Sequence, residues 1–287
     1  MHHRTVAPVL RRAASVLLAA VFLFSVVGCA AKPAPTTGKP TPELTELVLA
    51  STTSTQDSGL FDVLIPAFEK AFPQYKVKVI AVGTGEALKL GETKDADVLL
   101  VHSKADEVSF VASGFGVERR DVMYNDFIIV GPAADPAGIA GSKTTTDALD
   151  AIVAAKAVFV SRGDDSGTHK KEKKLWTAAG IEPAGAWYLS TGQGMGETLK
   201  VASEKGGYTL VDRATYLSMK DTVDMEVLLE GIKSLLNQYG VIVVTDAKNQ
   251  AGGQVFADWI IGVEGQKVVG SYGVEKYGQQ LFIPNAK

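Results

Sequence analysis

The sequence predicts an α/β fold of two domains with a ligand cleft between them, joined by two crossing strands. Three observations carry that expectation. From residue 47 onward, apolar and β-branched runs alternate with helix-period segments, as strand–helix units with mostly parallel sheets do. Two of these units share one design, a buried strand that runs into a hydroxyl-rich loop and a helix start: residues 47–59 (L-V-L-A-S-T-T-S-T-Q-D-S-G) and residues 158–169, which contain S-R-G-D-D-S-G-T-H. Finally, residues 123–130 (M-Y-N-D-F-I-I-V) and 235–244 (L-L-N-Q-Y-G-V-I-V-V) are long enough to leave one domain and enter another. Two crossings imply a discontinuous first domain, residues 46–127 plus 240–287, and a continuous second one, residues 128–239.

Taken in order, the chain begins with a targeting segment, residues 1–28. Arg4, Arg11 and Arg12 precede a 15-residue apolar run at 13–27. That run is shorter than the roughly 20 residues a membrane span needs, so it reads as a signal-peptide core. It ends V-V-G-C-A, and Cys29 is the only cysteine of the chain. A lone cysteine at that point fits lipid attachment after processing. Residues 29–45 then read as a lipid-anchored tether, with Pro33, Pro35, Pro40 and Pro42 and no apolar periodicity.

The body follows. Residues 76–82 (K-V-K-V-I-A-V) form a strand ending at Gly83-Thr84-Gly85, and residues 97–101 (D-V-L-L-V) a second ending at His102-Ser103. Ligands in such folds lie at the carboxyl ends of strands. The second domain carries strands near 158–160, 187–189 and 208–211 and a glycine loop at 191–196, and an amphipathic helix with Trp259 follows the second crossing.

Composition bounds the function. With 46% hydrophobic and 21% charged residues, the 287-residue chain is globular. Its net charge is −3, and because the first 28 residues hold three arginines and no acid, the remainder carries −6. That balance argues against nucleic acid as a partner, and the Lys170 to Lys174 cluster reads as a solvated helix face. An acidic protein that binds an anion must use local donors.

Those donors are present. Residues 51–55 are five consecutive hydroxyl residues at a helix start, where free N–H groups and the helix dipole favour an anion; a single cap needs one hydroxyl. Arg162 offers a planar fork of donors or an internal pair with Asp164 or Asp165. Ser166 and Thr168 are donors or caps, Gly163 and Gly167 free the backbone, and Ser51, Gly167, Thr84 and Gln193 are weaker ligand candidates. The glycine loop T-G-Q-G-M-G-E matches neither a dinucleotide nor a Walker fingerprint, and no zinc or nucleophile-elbow motif is present. The expectation is therefore a non-enzyme without a cofactor or metal-cation site. A secreted serine hydrolase using Ser166, with His169 nearby, is the alternative of another class.

From residue 47 to about residue 272 the sequence resembles the tungstate-binding (TupA-type) component of bacterial ABC importers. The motifs that carry the resemblance are S-T-T-S-T-Q-D-S-G, G-T-G-E-A-L, D-A-D-V-L-L-V-H, M-Y-N-D-F, S-R-G-D-D-S-G-T-H, T-G-Q-G-M-G-E-T-L and L-N-Q-Y-G-V. The resemblance implies a type II periplasmic-binding-protein-like fold. It also implies an oxyanion ligand, tungstate or possibly molybdate, with sulfate or phosphate as alternatives of the same fold. Carried over by position, the ligand residues are Thr52, Thr53, Ser54, Arg162, Ser166 and Thr168. The implied partner is a membrane permease, and the implied form is an extracytoplasmic monomer anchored through Cys29. Ser51 replaces a threonine of the family pattern, and Gln238 replaces a proline, which bears on the stiffness of the hinge.

Overall fold

The computed structural model describes residues 44–287. The signal and lipid-anchor readings, Cys29 included, lie outside the described residues. In chain order the elements are β1 (Thr45–Thr52), α1 (Thr53–Asp57), α2 (Phe61–Ala71), β2 (Tyr75–Val82), α3 (Thr84–Glu92), β3 (Val98–Val101), α4 (Lys104–Ala112) and β4 (Gly116–Gly131). The chain continues through α5 (Thr145–Ala155), β5 (Phe159–Ser161), α6 (Gly167–Ala178), β6 (Tyr188–Ser190), α7 (Met195–Lys205), β7 (Thr209–Asp212), α8 (Arg213–Met219) and β8 (Glu226–Leu229). It closes with β9 (Leu236–Val244), α9 (Gln250–Ile261), α10 (Val263–Ser271), α11 (Val274–Tyr277) and β10 (Ile283–Pro284).

Strand β4 organises the sheets. Its first part pairs antiparallel with β9, as far as Asp126 opposite Leu236. Beyond that point it pairs with β7, Phe127 opposite Asp212, and with β8. β9 in turn pairs antiparallel with β3, and β3 and β2 flank β1 in parallel. The sheet order is thus β10-β4-β9-β3-β1-β2, with β7 and β8 on the far part of β4 and a separate parallel pair β5–β6. The expectation of mostly parallel sheets needs correction. The two crossing strands run antiparallel to each other, because the chain leaves along one and returns along the other.

Each sheet is covered on both faces, so its strands are apolar on both sides. Leu47 and Leu49 of β1 pack with Leu64, Phe68, Phe256, Ile260 and Val269 of α2, α9 and α10. Ala50 points the other way, onto Ala87, Leu88 and Phe110 of α3 and α4. On β4, Phe127 and Ile129 meet Leu149, Ile152 and Trp176, while Ile128 and Val130 meet Leu199 and Tyr216. This period-two alternation is what the strand pleat requires.

Gln238, where the resemblance led us to expect proline, knits the crossing. Its amide donates to the carbonyls of Met123 and Tyr239, each at 2.9 Å, and accepts from Asn285 Nδ2 at 2.7 Å.

Helix α9 lies so close to the sheet that a Cβ on Gly253 would sit 2.6 Å from the Asp97 carbonyl oxygen. Backbone cannot yield there. Gly253→Ala should therefore lower stability by about 2 kcal/mol despite alanine's better helix propensity, read as a reduced urea midpoint at unchanged slope.

Candidate functional site: a buried donor cluster between strand ends

The parallel pairing of β1, β2 and β3 brings Thr52, Gly83-Thr84 and His102-Ser103 to one edge of the first sheet. The parallel β5–β6 pair does the same for Arg162 and the 191–193 loop, with Ser161 opposite Ser190. The two edges touch. Arg162 Nη2 donates to Thr53 Oγ1 at 2.9 Å, and the Gly167 N–H donates to Thr84 Oγ1 at 3.1 Å.

The hydroxyl run divides between elements. Ser51 and Thr52 end β1, and residues 53–55 begin α1. Ser51 donates its proton to the Leu100 carbonyl at 2.6 Å, which removes it as a ligand donor. Thr52 caps α1, accepting from Thr55 N, and its Oγ1 also lies within bonding distance of Thr55 Oγ1, Ser54 Oγ and His102 Nε2. It is fully buried, as is Ser54. Thr53 is the hydroxyl of the run that meets Arg162.

Arg162 is 1% exposed. Three contacts fix its guanidinium: Nε donates to the Gln193 carbonyl at 3.3 Å, and Nη2 to Thr53 Oγ1 and to Asp164 Oδ2. The internal pair with Asp164 is present, and it uses one nitrogen and leaves Nη1 without a partner. Thr168 Oγ1, 1% exposed in the first turn of α6, also has no partner. Ser166 caps α6 by accepting from His169 N at 3.2 Å, and its own proton has no acceptor among the described residues. Buried donors without partners are costly, and Arg162 Nη1 and Thr168 Oγ1 lie in one loop where the two strand edges meet. Gln193 is exposed and takes part through its main-chain carbonyl. Gly167 is needed because a Cβ there would lie 2.7 Å from the His102 ring and 2.8 Å from Thr84 Oγ1.

The nearby carboxylates are turned to other donors. Asp164 also accepts from Ser166 N, Asp165 pairs with Lys170 and Lys173, and Asp57 accepts from Gly196 N at 3.0 Å. Burial raises the Asp57 carboxyl, and it raises buried Asp212, which accepts from Thr215, to about 6.

The sequence placed His102 at a strand end without giving its side chain a role. Its Nδ1 lies 3.1 Å from Asn237 Oδ1, and Asn237 Nδ2 donates to Asn125 Oδ1 at 2.8 Å. With the Asn237 oxygen so oriented, Nδ1 carries the proton and Nε2 accepts from Thr52 or Ser54, each at 3.1 Å. Burial first, and the Arg162 charge second, depress its pKa to about 3, so the ring is neutral. The signal for it was available in its place at the end of the strand beside β1. For Asn125 and Asn237 there was none, because only the pairing of β4 with β9 sets them opposite each other. The His169 ring accepts at Nδ1 from Asp165 N at 3.0 Å, and its backbone N–H donates to Ser166 Oγ.

Two lobes around a buried donor cluster, with crossing strands between, define the periplasmic-binding class of protein. The description of the PBP superfamily domain matches residues 31–264. The chain is 49% identical to the tungstate-binding protein TupA of Peptoclostridium acidaminophilum, over 96% of this chain and 99% of that protein. Among solved structures, the tungstate ABC transporter from Geobacter sulfurreducens is 50% identical with a TM-score of 0.73, over 79% of this chain and 98% of that one. The tungstate-binding protein TupA from Desulfovibrio alaskensis G20 is 47% identical with a TM-score of 0.70, over 84% and 99%. The chain belongs to the PBP superfamily and, within it, to the TupA family.

The histidine makes stability depend on pH. Its folded pKa lies below the unfolded value of 6.5, so its contribution is complete above pH 6.5 and is lost as pH falls toward 3. Glu107, raised by burial to about 7, works in the opposite direction. Comparison with His102→Gln isolates the histidine term. Between pH 6 and pH 4 the wild type should lose about 1.4 kcal/mol per pH unit more than the variant in urea unfolding. Parallel curves would mean that the ring is not held neutral.

Proposed function

We propose that this protein captures tungstate in the cleft between its lobes and delivers it to the permease of an ABC importer. The observation that carries this reading is the pair of buried, unpartnered donors, Arg162 Nη1 and Thr168 Oγ1, in a loop whose carboxylates are all turned to other donors. Tungstate and molybdate are fully deprotonated dianions near neutral pH, so they suit a site of donors alone. A phosphate that keeps a proton needs an acceptor. The names of the relatives favour tungstate over molybdate.

In this reading Arg162, Thr168, Ser166, Thr53 and Ser54 contact the oxyanion, and Thr52 and His102 hold the hydroxyls in place. Residues 46–127 with 240–287 form one domain and residues 128–239 the other, and closure about β4 and β9 buries the ion. The protein acts outside the cytoplasm as a monomer, anchored through a lipid on Cys29 and held off the membrane by the tether that follows.

Calorimetric titration should give tight one-to-one binding of tungstate, with sulfate and phosphate far weaker. Arg162→Ala should weaken tungstate binding about 30- to 150-fold, the loss of one strong charged hydrogen bond of about 2–3 kcal/mol. An affinity within twofold of wild type would overturn the site. Part of that loss comes from Asp164, which is left unpaired beside a dianion, so Arg162→Ala/Asp164→Ala should bind more tightly than Arg162→Ala alone.

A further inference from the structure

The chain outside its leader carries about −6, so at long range it repels a dianion, yet the reading above requires one to reach a buried site. The cavities that open beside the donor cluster differ in charge. One, of about 170 Å³, lies between the start of α4, α6 and β9, and is lined by His102, Gly167 and Asn237 at its inner end and by Lys104, Lys171 and Lys174. No carboxylate lines it. Another, of about 530 Å³ on the side of α1 and α7, has Asp57, Asp62 and Glu197 against Lys200 and Lys276, and Lys200 is paired with Glu197 at 2.8 Å.

The three lysines of the smaller cavity are differently held. Lys171 donates to the Leu236 carbonyl at 2.9 Å, and its ammonium stands 6.0 Å over the Phe127 ring. Neither contact neutralises it. Lys104 has a single acid, Asp121, at 3.8 Å, and its side chain is 61% exposed. Lys174 is exposed and forms no ion pair among the described residues. Their neighbour Lys170 is different, being closed across the cleft onto Asp106 at 2.9 Å and onto Asp165. Field lines from charges in a concave, low-dielectric wall are focused into the opening. At this rim the local field opposes the sign of the whole chain.

We propose that the lysine-lined cavity between α4, α6 and β9 is the entry vestibule for the ligand, a transient subsite through which a tetrahedral dianion passes to Arg162 and Thr168. The inference rests on the oxyanion reading above. The vestibule attracts the ion before the cleft closes and makes no lasting bond to it, so its lysines act on the rate of association. The acidic opposite rim leaves that side unfavourable for approach.

The test compares wild type with Lys104→Gln/Lys174→Gln, with Lys104→Glu/Lys174→Glu, and with Lys200→Gln/Lys276→Gln on the opposite rim. Dissociation rates come from exchange of labelled tungstate, Kd from calorimetry, and association rates from their ratio, each at about 10 mM and about 0.5 M salt. At low salt the neutral variant should associate about 3-fold and the reversed variant about 10-fold more slowly, converging to within about twofold at high salt, with dissociation unchanged. The opposite-rim variant carries the same change in net charge as the neutral vestibule variant and should be slowed distinctly less than it. Unchanged association in the vestibule variants, or a loss carried by dissociation, would overturn the vestibule while leaving the oxyanion site standing. Failure of the wild type to bind any oxyanion would overturn both.

Discussion

The arrangement of the cleft depends on one incompletely partnered guanidinium. Arg162 is buried, and its only acid, Asp164, uses one of its nitrogens. A buried guanidinium with one nitrogen unpaired is a poor arrangement for an empty protein and a good one for an anion's host. The surrounding backbone keeps the fork from turning to find another partner. Gly163 adopts a left-handed φ of 62°, and a side chain there would collide with Ser190. The Gly192 N–H holds the Arg162 carbonyl at 2.7 Å, and the Gln193 carbonyl holds Nε. The arginine is thus aimed by two adjoining loops before any ligand arrives.

Beneath it lies an uncharged layer with the same purpose. Hydroxyls can donate or accept, and an anion needs them to donate. The Thr52, Ser54 and Thr55 hydroxyls form one connected set above the His102 ring, whose Nε2 accepts. A protonated ring would add a second buried charge beside Arg162. Burial and Arg162 both disfavour the proton. The chain Asn125–Asn237–His102 thus fixes the ring's tautomer, so that a hydroxyl of Thr52 or Ser54 gives its proton to Nε2.

Much of this was legible in the sequence, for identifiable reasons. Strand periodicity located β1, β2, β3, β5 and both crossing strands to within a few residues, and the S-R-G-D-D-S-G-T-H loop marked Arg162, Ser166 and Thr168. The roles within the hydroxyl run were not legible, because Ser51 and Thr52 are buried by pleat and cap geometry that a row of similar residues conceals. Helix α5, with its Thr144–Asp147 capping box, and helix α8 were passed over, since neither stands out against the loops that flank it. Parallel and antiparallel pairing is a property of partners far apart in the chain, which is why the sheets proved more mixed than expected.

Local geometry also accounts for how an acidic chain arranges its carboxylates around the donor cluster. Its carboxylates near the cleft are not absent but assigned: Asp164 braces Arg162, Asp57 accepts from the first turn of α7, Asp106 and Asp165 share Lys170, and Asp212 accepts from Thr215. Two of these contacts, Asp57 with Gly196 and Asp106 with Lys170, span the two lobes. Acids that would repel a dianion in solution are thereby used to hold the lobes together around the donor cluster. Net charge sets the field at a distance, whereas within about one Debye length the outcome belongs to whichever groups remain unpaired. Here the unpaired groups are donors.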